Sequence, residues 1–393
     1  LLNNEAIRAD YYNNGDKSKK RSEAMAEFCY NELCLNFDIN YGLKAMHGIE
    51  AFPDFDTYFA CVGIRDSLKS TDAEKFATAI KDICEFYFGD GHSAYQHNSH
   101  YLGADVKITA THTFAKRKEH DKNTLKYVYT RNDVIGNGSR NTIDPVPGYT
   151  VSADGKTAIV RFDEFTVNNL KGADIPTISD EDLEKYVYNL EKKYDTIALL
   201  NTVNEKIHTN SNIENVVLDL SRNGGGAAFT AAFLLSWMLG ECTFNLTDPI
   251  TGAKWSTTYE ADVNFDGKYD ANDESVIDKQ DTIKNKNLFC LISPLSFSCG
   301  NLVPAVLKAS GQVTILGVAS TGGTAAVYNT CTADGTLFQM SSRHVINIAI
   351  NGSSYDIDKG IEPHYYINKV ENFYKTDKIA SLVNSINEAK LGD

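Results

Sequence analysis

The sequence has 393 residues, 42% of them hydrophobic and 23% charged, which is ordinary for a soluble globular protein of one to three domains. Its 52 acidic and 38 basic residues give a net charge of −14, which argues against nucleic acid or an anionic membrane as the main partner. No apolar run is long enough to span a bilayer. The absence of an initial Met indicates a truncated or processed form, and any signal segment would lie upstream of this sequence.

The cysteines do not form the pattern of a disulfide framework or a zinc site. They are spread along the chain without a C-x-x-C pair, and most stand among apolar residues. Because cysteine is among the most buried residue types, this pattern predicts buried free thiols. The eight positions are Cys29, Cys34, Cys61, Cys84, Cys242, Cys290, Cys299 and Cys331.

The N-terminal part of the chain is predicted to be mainly helical. The segments 19–37 and 72–90 place apolar residues at helical spacing. The sequence GDGHS at 89–93 breaks this pattern. From about residue 105 the residue pattern changes, and alternating β-branched residues in 105–116 and 125–130 predict strands.

The middle of the chain is predicted to contain a hairpin and a long helix. Alternating residues in 149–165 predict two strands, with Asp154 and Gly155 forming the turn between them. The pattern in 178–209 predicts one helix, with Ser179 as its N-cap residue.

Two strand–turn–helix units follow, which is the arrangement of an α/β protein. The apolar run at 215–220 predicts a buried parallel strand, followed by a Gly-rich turn and a helix within 221–240. The segment 287–317 predicts a strand, a serine-containing turn, a helix and another strand. Between them, the polar stretch 247–286 has the character of a loop insertion.

The serine-containing turn, SPLSFSCGN at 293–301, admits two interpretations. Serine is a favoured N-cap residue, so one of these serines can simply cap the following helix. A serine at this place can also be a nucleophile, because an oxyanion is favoured at the positive end of the helix dipole. The turn by itself does not decide between them.

Two other segments favour the catalytic interpretation. DLSRNGGG at 219–226 carries consecutive glycines, which let the backbone approach a reacting group, although such a run can also be a flexible connection. DGHS at 90–93 places a histidine in a break of the helical pattern, where it can be a general base or an ordinary surface residue. Neither a phosphate-binding loop nor a dinucleotide fingerprint is present.

Together, these three segments resemble the tail-specific, or carboxyl-terminal-processing, serine proteases and their tricorn-like relatives. In that family one strand ends in Asp-Leu-Arg-x-Asn-x-Gly-Gly, and another ends in a Ser-Ala-Ser-Glu-like turn before a helix. The similarity covers about 210–325 and the segment GIEPHYYI at 360–367. It implies an α/β, crotonase-like core of sheet and helices, and it aligns Ser298 with the nucleophile of the family.

The resemblance also implies a histidine as the general base. The processing branch uses a Lys, but Gly323 stands at that position and no Lys occurs between 309 and 358. The tricorn-like branch uses a His from an earlier segment, which His92 supplies. A serine hydroxyl needs an adjacent base of matched pKa, and neutral imidazole fits. The alternative bases are His97, His100 and His344.

The family places an acidic residue shortly before its closing Gly-x-x-Pro motif. Here the segment SSYDIDKGIEP offers three carboxylates. We expect the third catalytic residue to be Asp358, two positions before Gly360, with Asp356 and Glu362 as alternatives. Such a residue would hold the tautomer of the histidine and stabilise imidazolium.

Backbone N–H groups are the expected donors of the oxyanion hole. One would come from Cys299, and the other from Gly224 or Gly225. Cys299 and Ser296 are alternative nucleophiles, but the family gives no precedent for the cysteine, and Ser296 precedes the expected helix. No PDZ pattern is found in 105–210, so recognition of substrate C-termini is not expected.

The insertion contains an acidic loop, DVNFDGKYDAND, with the ligand spacing of an EF-hand-like or dockerin-like calcium site. Calcium prefers hard oxygen ligands at alternate positions, and a central glycine permits the sharp turn. A solvated acidic turn is the alternative, and a single loop disfavours the cohesin binding of a two-loop dockerin. The predicted ligands are the side chains of Asp262, Asn264, Asp266, Asp270 and Asp273 and the carbonyl of Lys268.

We therefore expect an N-terminal helical region over 1–104 that contributes His92, and an α/β protease core over 105–393 with the calcium loop in the insertion. The expected function is a serine endopeptidase that acts on peptide or protein substrates through an acyl-enzyme, with a structural Ca²⁺ and no catalytic cofactor. A non-catalytic ligand- or peptide-binding protein on the same fold is the alternative. A calcium-dependent adhesion or scaffold module would leave the glycine and serine turns unexplained.

The expected location is extracellular or on a bacterial cell surface, and the oligomeric state is left open.

Overall fold

The computed structural model divides into two compact units. The first unit comprises Leu1–Glu119, Leu246–Trp255 and Ala325–Ile346, and the second comprises His120–Asn245, Ser256–Thr324 and Asn347–Asp393. The residues that the structure describes are 17–103, 105–112, 115–140, 144–167, 176–187, 194–240, 242–259, 270–271, 283, 286–323, 325–350 and 352–392.

The described part of the chain begins with helices, and strands and helices are interspersed after them. The α-helices are α1 (Glu23–Asn40), α2 (Phe55–Cys61), α3 (Arg65–Leu68), α4 (Ala73–Asp82), α5 (Ala115–Ile135), α6 (Asp180–Leu183), α7 (Thr196–Thr209), α8 (Ala228–Leu239), α9 (Cys299–Ala309), α10 (Glu371–Tyr374) and α11 (Thr376–Gly392). The strands are β1 (Ala94–His97), β2 (Tyr149–Val151), β3 (Thr157–Arg161), β4 (Asn215–Asp219), β5 (Cys242–Thr247), β6 (Lys254–Tyr259), β7 (Asn287–Ile292), β8 (Val313–Gly317), β9 (Ala325–Cys331), β10 (Leu337–Ile350), β11 (Ser353–Tyr355) and β12 (Tyr365–Tyr366). Short 3₁₀ helices lie at Ala45–His47, Ile49–Ala51 and Ile357–Lys359, and α4 continues as a π-helix over Ile83–Phe88.

The first unit confirms the predicted N-terminal helical region. Its helices begin at capping residues, since Ser22 accepts a hydrogen bond from the N–H of Met25 and Asp72 accepts from two N–H groups of α4. The core between them is aromatic, and the rings of Tyr41 and Phe88 stack with their centroids 4.1 Å apart. Within this unit β1 and β9 both pair antiparallel with β10.

The second unit is built on a six-stranded sheet with the strand order β12-β8-β7-β4-β3-β2. Every neighbouring pair is parallel except β2 and β3. All residues of β3, β4 and β8 are buried, as expected for parallel strands that are covered on both faces. The predicted strands at 215–220 and 287–292 and the α/β fold class are therefore confirmed.

The hairpin prediction is also confirmed. Strands β2 and β3 pair from Tyr149 with Val160 to Val151 with Ala158. Between them, Gly155 has φ of 74°, a conformation that glycine adopts without steric cost.

The strands predicted at 105–116 and 125–130 are wrong. Residues 105–112 contain no strand, and 125–130 lie in the middle of α5. The buried side chains of this helix include Tyr127, Val128 and Arg131, whose spacing forms one face of a helix. Packing of that face outweighs the weak β-propensity of the sequence LKYVYT.

The single helix predicted for 178–209 is also wrong, although its N-cap is confirmed. Ser179 accepts from the N–H of Asp182 at 3.1 Å, but α6 ends after one turn. A new helix, α7, begins after Asp195, which accepts from the N–H of Ala198 at 2.9 Å. Two N-cap residues therefore define two helices.

The stretch 247–286 is not a loop at its start, because β6 occupies Lys254–Tyr259. All eight cysteines are free thiols, and all except Cys61 and Cys331 are buried, which confirms the prediction for six of them. No helix among the described residues combines the length and apolarity needed to cross a membrane.

Candidate active site

Ser298 has an unusual backbone conformation at the start of α9. Its φ of 54° and ψ of −123° lie in a region that L-amino acids rarely adopt. Among the described residues other than glycine, only Lys19 and Ser298 have a positive φ. Such conformations persist when the surrounding structure over-determines them, and they cluster at functional sites.

The hydroxyl of Ser298 does not cap the helix. It stands at the N-cap position of α9, but its side chain makes no capping hydrogen bond. Its backbone N–H donates instead to the carbonyl of Gly322 at 2.9 Å. The capping interpretation of this serine is therefore wrong, and the hydroxyl stays at the N-terminus of an 11-residue helix, where negative charge is favoured.

The other serines of the turn have structural roles. The hydroxyl of Ser296 is buried, donates to the carbonyl of Leu220 at 2.7 Å and accepts from the N–H of Ser293 at 3.0 Å. The hydroxyl of Ser293 donates to the carbonyl of Ser221 and accepts from the N–H of Leu295. These bonds join the turn after β7 to the end of β4, and they occupy the hydroxyl of the alternative nucleophile Ser296.

The glycine loop lies directly against Ser298, as the combined motifs lead one to expect. A Cβ atom added to Gly225 would lie 2.6 Å from the Cβ of Ser298, and one added to Gly300 would lie 2.1 Å from the carbonyl oxygen of Asn223. The N–H of Phe297 donates to that same carbonyl at 3.1 Å. Only glycines allow this approach of the two backbones.

The predicted oxyanion donors differ in their present hydrogen bonds. The N–H of Gly224 donates to the carbonyl of Asp163 at 3.1 Å, and that of Gly225 donates to Oδ1 of Asn223 at 2.9 Å. Either glycine would have to exchange its partner for a substrate oxygen. Cys299 is the first residue of α9, where N–H groups have no partner within the helix.

The thiol of Cys299 is poorly suited to act as a nucleophile. It is buried, and its Sγ donates to the carbonyl of Gly226 at 3.3 Å. Burial raises the pKa of Cys299 to about 11, and hydrogen bonds with Gly226 and Ser298 offset this only in part. Because the thiolate is the reactive form, the thiol is almost inert at neutral pH.

Of the three candidate carboxylates, Asp358 is the one connected to the serine turn. It lies in the 3₁₀ helix Ile357–Lys359, and its Oδ1 accepts from the N–H of Gly323 at 3.0 Å. Asp356 caps the same 3₁₀ helix by accepting from the N–H of Asp358. Glu362 is exposed and accepts from the hydroxyl of Tyr366.

His92 lies in the first unit, in a turn that a buried carboxylate organises. The backbone N–H of His92 donates to Oδ1 of Asp90 at 3.0 Å, and its carbonyl accepts from Nε2 of Gln339 at 2.7 Å. Asp90 also accepts from the hydroxyls of Ser93 and Tyr41. The turn that carries the predicted base is thus held at several points, and its pairing with Ser298 in the second unit stays a prediction.

The alternative bases have more exposed surroundings. His97 is exposed at the end of β1, and His100 is half-buried. His344 is exposed on β10, with its ring edge-on to Trp255 at 5.4 Å between centroids.

One protein-family model matches part of this chain. Residues 187–367 match peptidase family S41. This S41 region contains β4, β7, α9 and β8, and with them the glycine loop, Ser298 and Asp358. None of the curated proteins compared with this sequence matches it significantly.

Two solved structures resemble the whole chain in fold. A candidate peptidase from Parabacteroides merdae superimposes with a TM-score of 0.54 and 13% identity, over 92% of this chain and 97% of that one. Mature CPAF complexed with lactacystin superimposes with a TM-score of 0.52 and 11% identity, over 94% of this chain and 100% of that one. The two likenesses extend beyond the S41 region and include the N-terminal helical region.

The predicted calcium loop is not tested by the structure. Asp262, Asn264, Asp266, Lys268 and Asp273 lie outside the described residues, and only the exposed Asp270 is described. Within the described ranges, no group of three or more His, Cys, Asp or Glu side chains is placed to hold a metal ion.

Sequence reasoning missed two asparagines of this site. Asn223 and Asn301 are both fully buried. The amide of Asn223 donates to the carbonyl of Phe162, and that of Asn301 donates to the carbonyl of Ile357, so they link the glycine loop and the first turn of α9 to neighbouring segments. Their positions could have indicated a role in the site. Asn223 directly precedes the glycine run, and Asn301 stands three residues after the aligned nucleophile.

Proposed function

We propose that this protein is a serine peptidase that hydrolyses peptide bonds through an acyl-enzyme on Ser298. The observation that carries this proposal is the strained Ser298 at the N-terminus of α9, in contact with the glycine loop. The S41 match over 187–367 supports a peptidase function for the same residues.

In the proposed first step, His92 accepts the hydroxyl proton of Ser298 while Oγ attacks the carbonyl carbon of the scissile bond. The carbonyl oxygen becomes an oxyanion. Collapse of the tetrahedral intermediate breaks the C–N bond, and the amine leaves with the proton from the imidazolium. Water activated by the same imidazole then hydrolyses the ester and restores Ser298.

The oxyanion would be stabilised by the N–H of Cys299 and by an N–H of the glycine loop. The dipole of α9 adds to this stabilisation, because its positive end lies at Ser298. Asp358 is proposed as the third residue of the site.

A non-catalytic peptide-binding protein is the competing proposal, and one observation favours it. The N–H groups of Gly224 and Gly225 already donate within the protein, so one expected oxyanion donor is engaged in this structure. A protein that only binds peptides would have no need to release it.

The test compares two adjacent variants in peptide hydrolysis. Ser298→Ala removes the acyl-accepting hydroxyl and should lower kcat by about 10³-fold or more. Cys299→Ala keeps the backbone N–H, so its kcat should stay within about threefold of the wild type. Equal activity of wild type and Ser298→Ala would refute the proposal, and loss of activity in Cys299→Ala alone would transfer the role to the thiol.

We also propose that the substrates are peptides or proteins outside the cell, or at the surface of a bacterial cell. The acidic composition of the chain and the calcium-type loop at 262–273 support this location.

A further inference from the structure

We propose that Asn301 is a positioning residue of the active site. Its amide fixes the segment 357–361, which carries Asp358, relative to the helix that begins at Ser298. The inference rests on the proposed function of Ser298, and it concerns a residue whose side chain hydrogen-bonds to Ile357 and Ser320.

The amide of Asn301 is fully buried and uses both of its ends. Its Nδ2 donates to the carbonyl of Ile357 at 2.9 Å, and its Oδ1 accepts from the hydroxyl of Ser320 at 2.6 Å. The oxygen of Ser320 in turn accepts from the N–H of Ile361 at 2.7 Å. The two ends of the segment 357–361 are therefore tied to one side chain, directly and through Ser320.

That segment connects back to the backbone of the nucleophile. Oδ1 of Asp358 accepts from the N–H of Gly323 at 3.0 Å, and the carbonyl of Gly322 accepts from the N–H of Ser298 at 2.9 Å. The hydrogen bonds and the backbone between them therefore form a closed network. It runs from Asn301 to the segment with Asp358, through Gly323 and Gly322 to Ser298, and back to Asn301 along the first turn of α9.

The backbone segments of this network are closely packed, so they have little room to move relative to one another. A Cβ atom added to Gly322 would lie 2.2 Å from the carbonyl oxygen of Asp358. One added to Gly323 would lie 2.8 Å from the backbone nitrogen of Ser298. A shift of the segment 357–361 is therefore transmitted to Ser298, whose strained backbone depends on its surroundings.

The expected effect is on turnover rather than on substrate binding. Asn301→Ala removes both hydrogen bonds, whereas Asn301→Asp keeps an acceptor for Ser320 and loses the donor to Ile357. Displacement of a reacting group by a fraction of an ångström can lower turnover by about 10- to 100-fold, and we expect this loss in kcat, with KM within about threefold of the wild type.

Asn215 provides a matched control in the same unit. It is equally buried and its Oδ1 accepts from Asn287 and Asn387. It lies at the amino ends of the parallel strands, whereas the serine turn follows the carboxyl end of β7. Asn215→Ala should lower thermal stability to a similar degree and leave kcat unchanged.

The experiment measures kcat and KM for the Asn301 variants, Asn215→Ala and Ser320→Ala, together with amide hydrogen exchange. Ser320→Ala removes one link and should lower kcat by about 3- to 10-fold, which keeps the test available if Asn301→Ala does not fold. In the Asn301 variants the amides of Ser298 and Gly323 should exchange at least about tenfold faster than in Asn215→Ala.

The two possible failures are distinguishable. Absence of peptide hydrolysis by the wild type would refute the proposed function, while faster exchange at Ser298 and Gly323 would still support the positioning role of Asn301. Unchanged kcat in Asn301→Ala and Ser320→Ala of an active enzyme would overturn the inference, and so would unchanged exchange at these amides.

Discussion

At the scale of single residues, Gly225 is the point at which the glycine loop packs against the side chain of Ser298. Gly225 has φ of 107°, and a Cβ there would lie 2.6 Å from the Cβ of Ser298. A Cβ added to the neighbouring Gly224 would have no other heavy atom within 4 Å. A side chain is therefore sterically excluded at Gly225 but has room at Gly224.

Gly225→Ala should destabilise the fold by about 2 kcal/mol or more, because the new methyl group meets Ser298 in a backbone conformation that alanine rarely adopts. Gly224→Ala should change the free energy of unfolding by less than about 1 kcal/mol. Urea unfolding of the two variants and the wild type measures both values. Equal stabilities for the two variants would show that the loop does not hold Ser298 as described.

His364 hydrogen-bonds to the backbone of the parallel sheet through its ring. Its Nδ1 accepts from the N–H of Ile315 in β8 at 2.9 Å. Burial, followed by the charges of Lys308 and Lys390, lowers the pKa of His364. The neutral ring is thereby favoured, and its unprotonated Nδ1 can accept the hydrogen bond from Ile315.

The sequence predicted the residues of the site that carry local motifs, but not those that connect distant segments. Ser298 and the glycines were identifiable because each follows a buried strand in a short, recognisable pattern. The partners of Asn301 were not, since Ser320 and Ile357 lie 19 and 56 residues away and depend on the folded chain.

At the scale of elements, the strand–turn–helix units were predictable and the helix boundaries were less so. β4, β7 and β8 are continuous apolar runs, and burial on both faces gives that signal directly. The sequence of α5 has no comparable signal, because its buried face includes the polar residue Arg131 beside Tyr127. Such a face does not form a clear apolar stripe in the sequence.

The acidic loop at 262–273 carries a prediction of its own. Crowded carboxylates repel one another, so we propose that Ca²⁺ binds there and stabilises the insertion. Calcium should raise the melting temperature relative to excess chelator and leave kcat unchanged at low temperature, since a Ser/His site needs no metal-bound water. The measurement is thermal unfolding with calcium and with chelator.

Asp266→Ala is the matching variant, because it removes a ligand and leaves Ser298 and His92 untouched. Its melting temperature should no longer depend on calcium. Superimposable unfolding curves of the wild type with calcium and with chelator would show that the loop is an ordinary acidic turn.

At the scale of the whole molecule, the predicted catalytic residues come from different units. His92 belongs to the first unit, while Ser298 and Asp358 belong to the second. The S41 match covers 187–367 and therefore does not include His92. Sequence patterns could not predict that 325–346 joins the first unit, because β10 pairs with β1 across more than 200 residues of chain.

The most direct test of the central claim is the site and rate of covalent labelling by a fluorophosphonate, measured by peptide mass spectrometry. If Ser298 is a nucleophile activated by His92, the adduct maps to Ser298, and His92→Gln slows its formation by about 10²-fold or more. No adduct on the wild type, an adduct on another residue, or labelling at the same rate in His92→Gln would contradict the account.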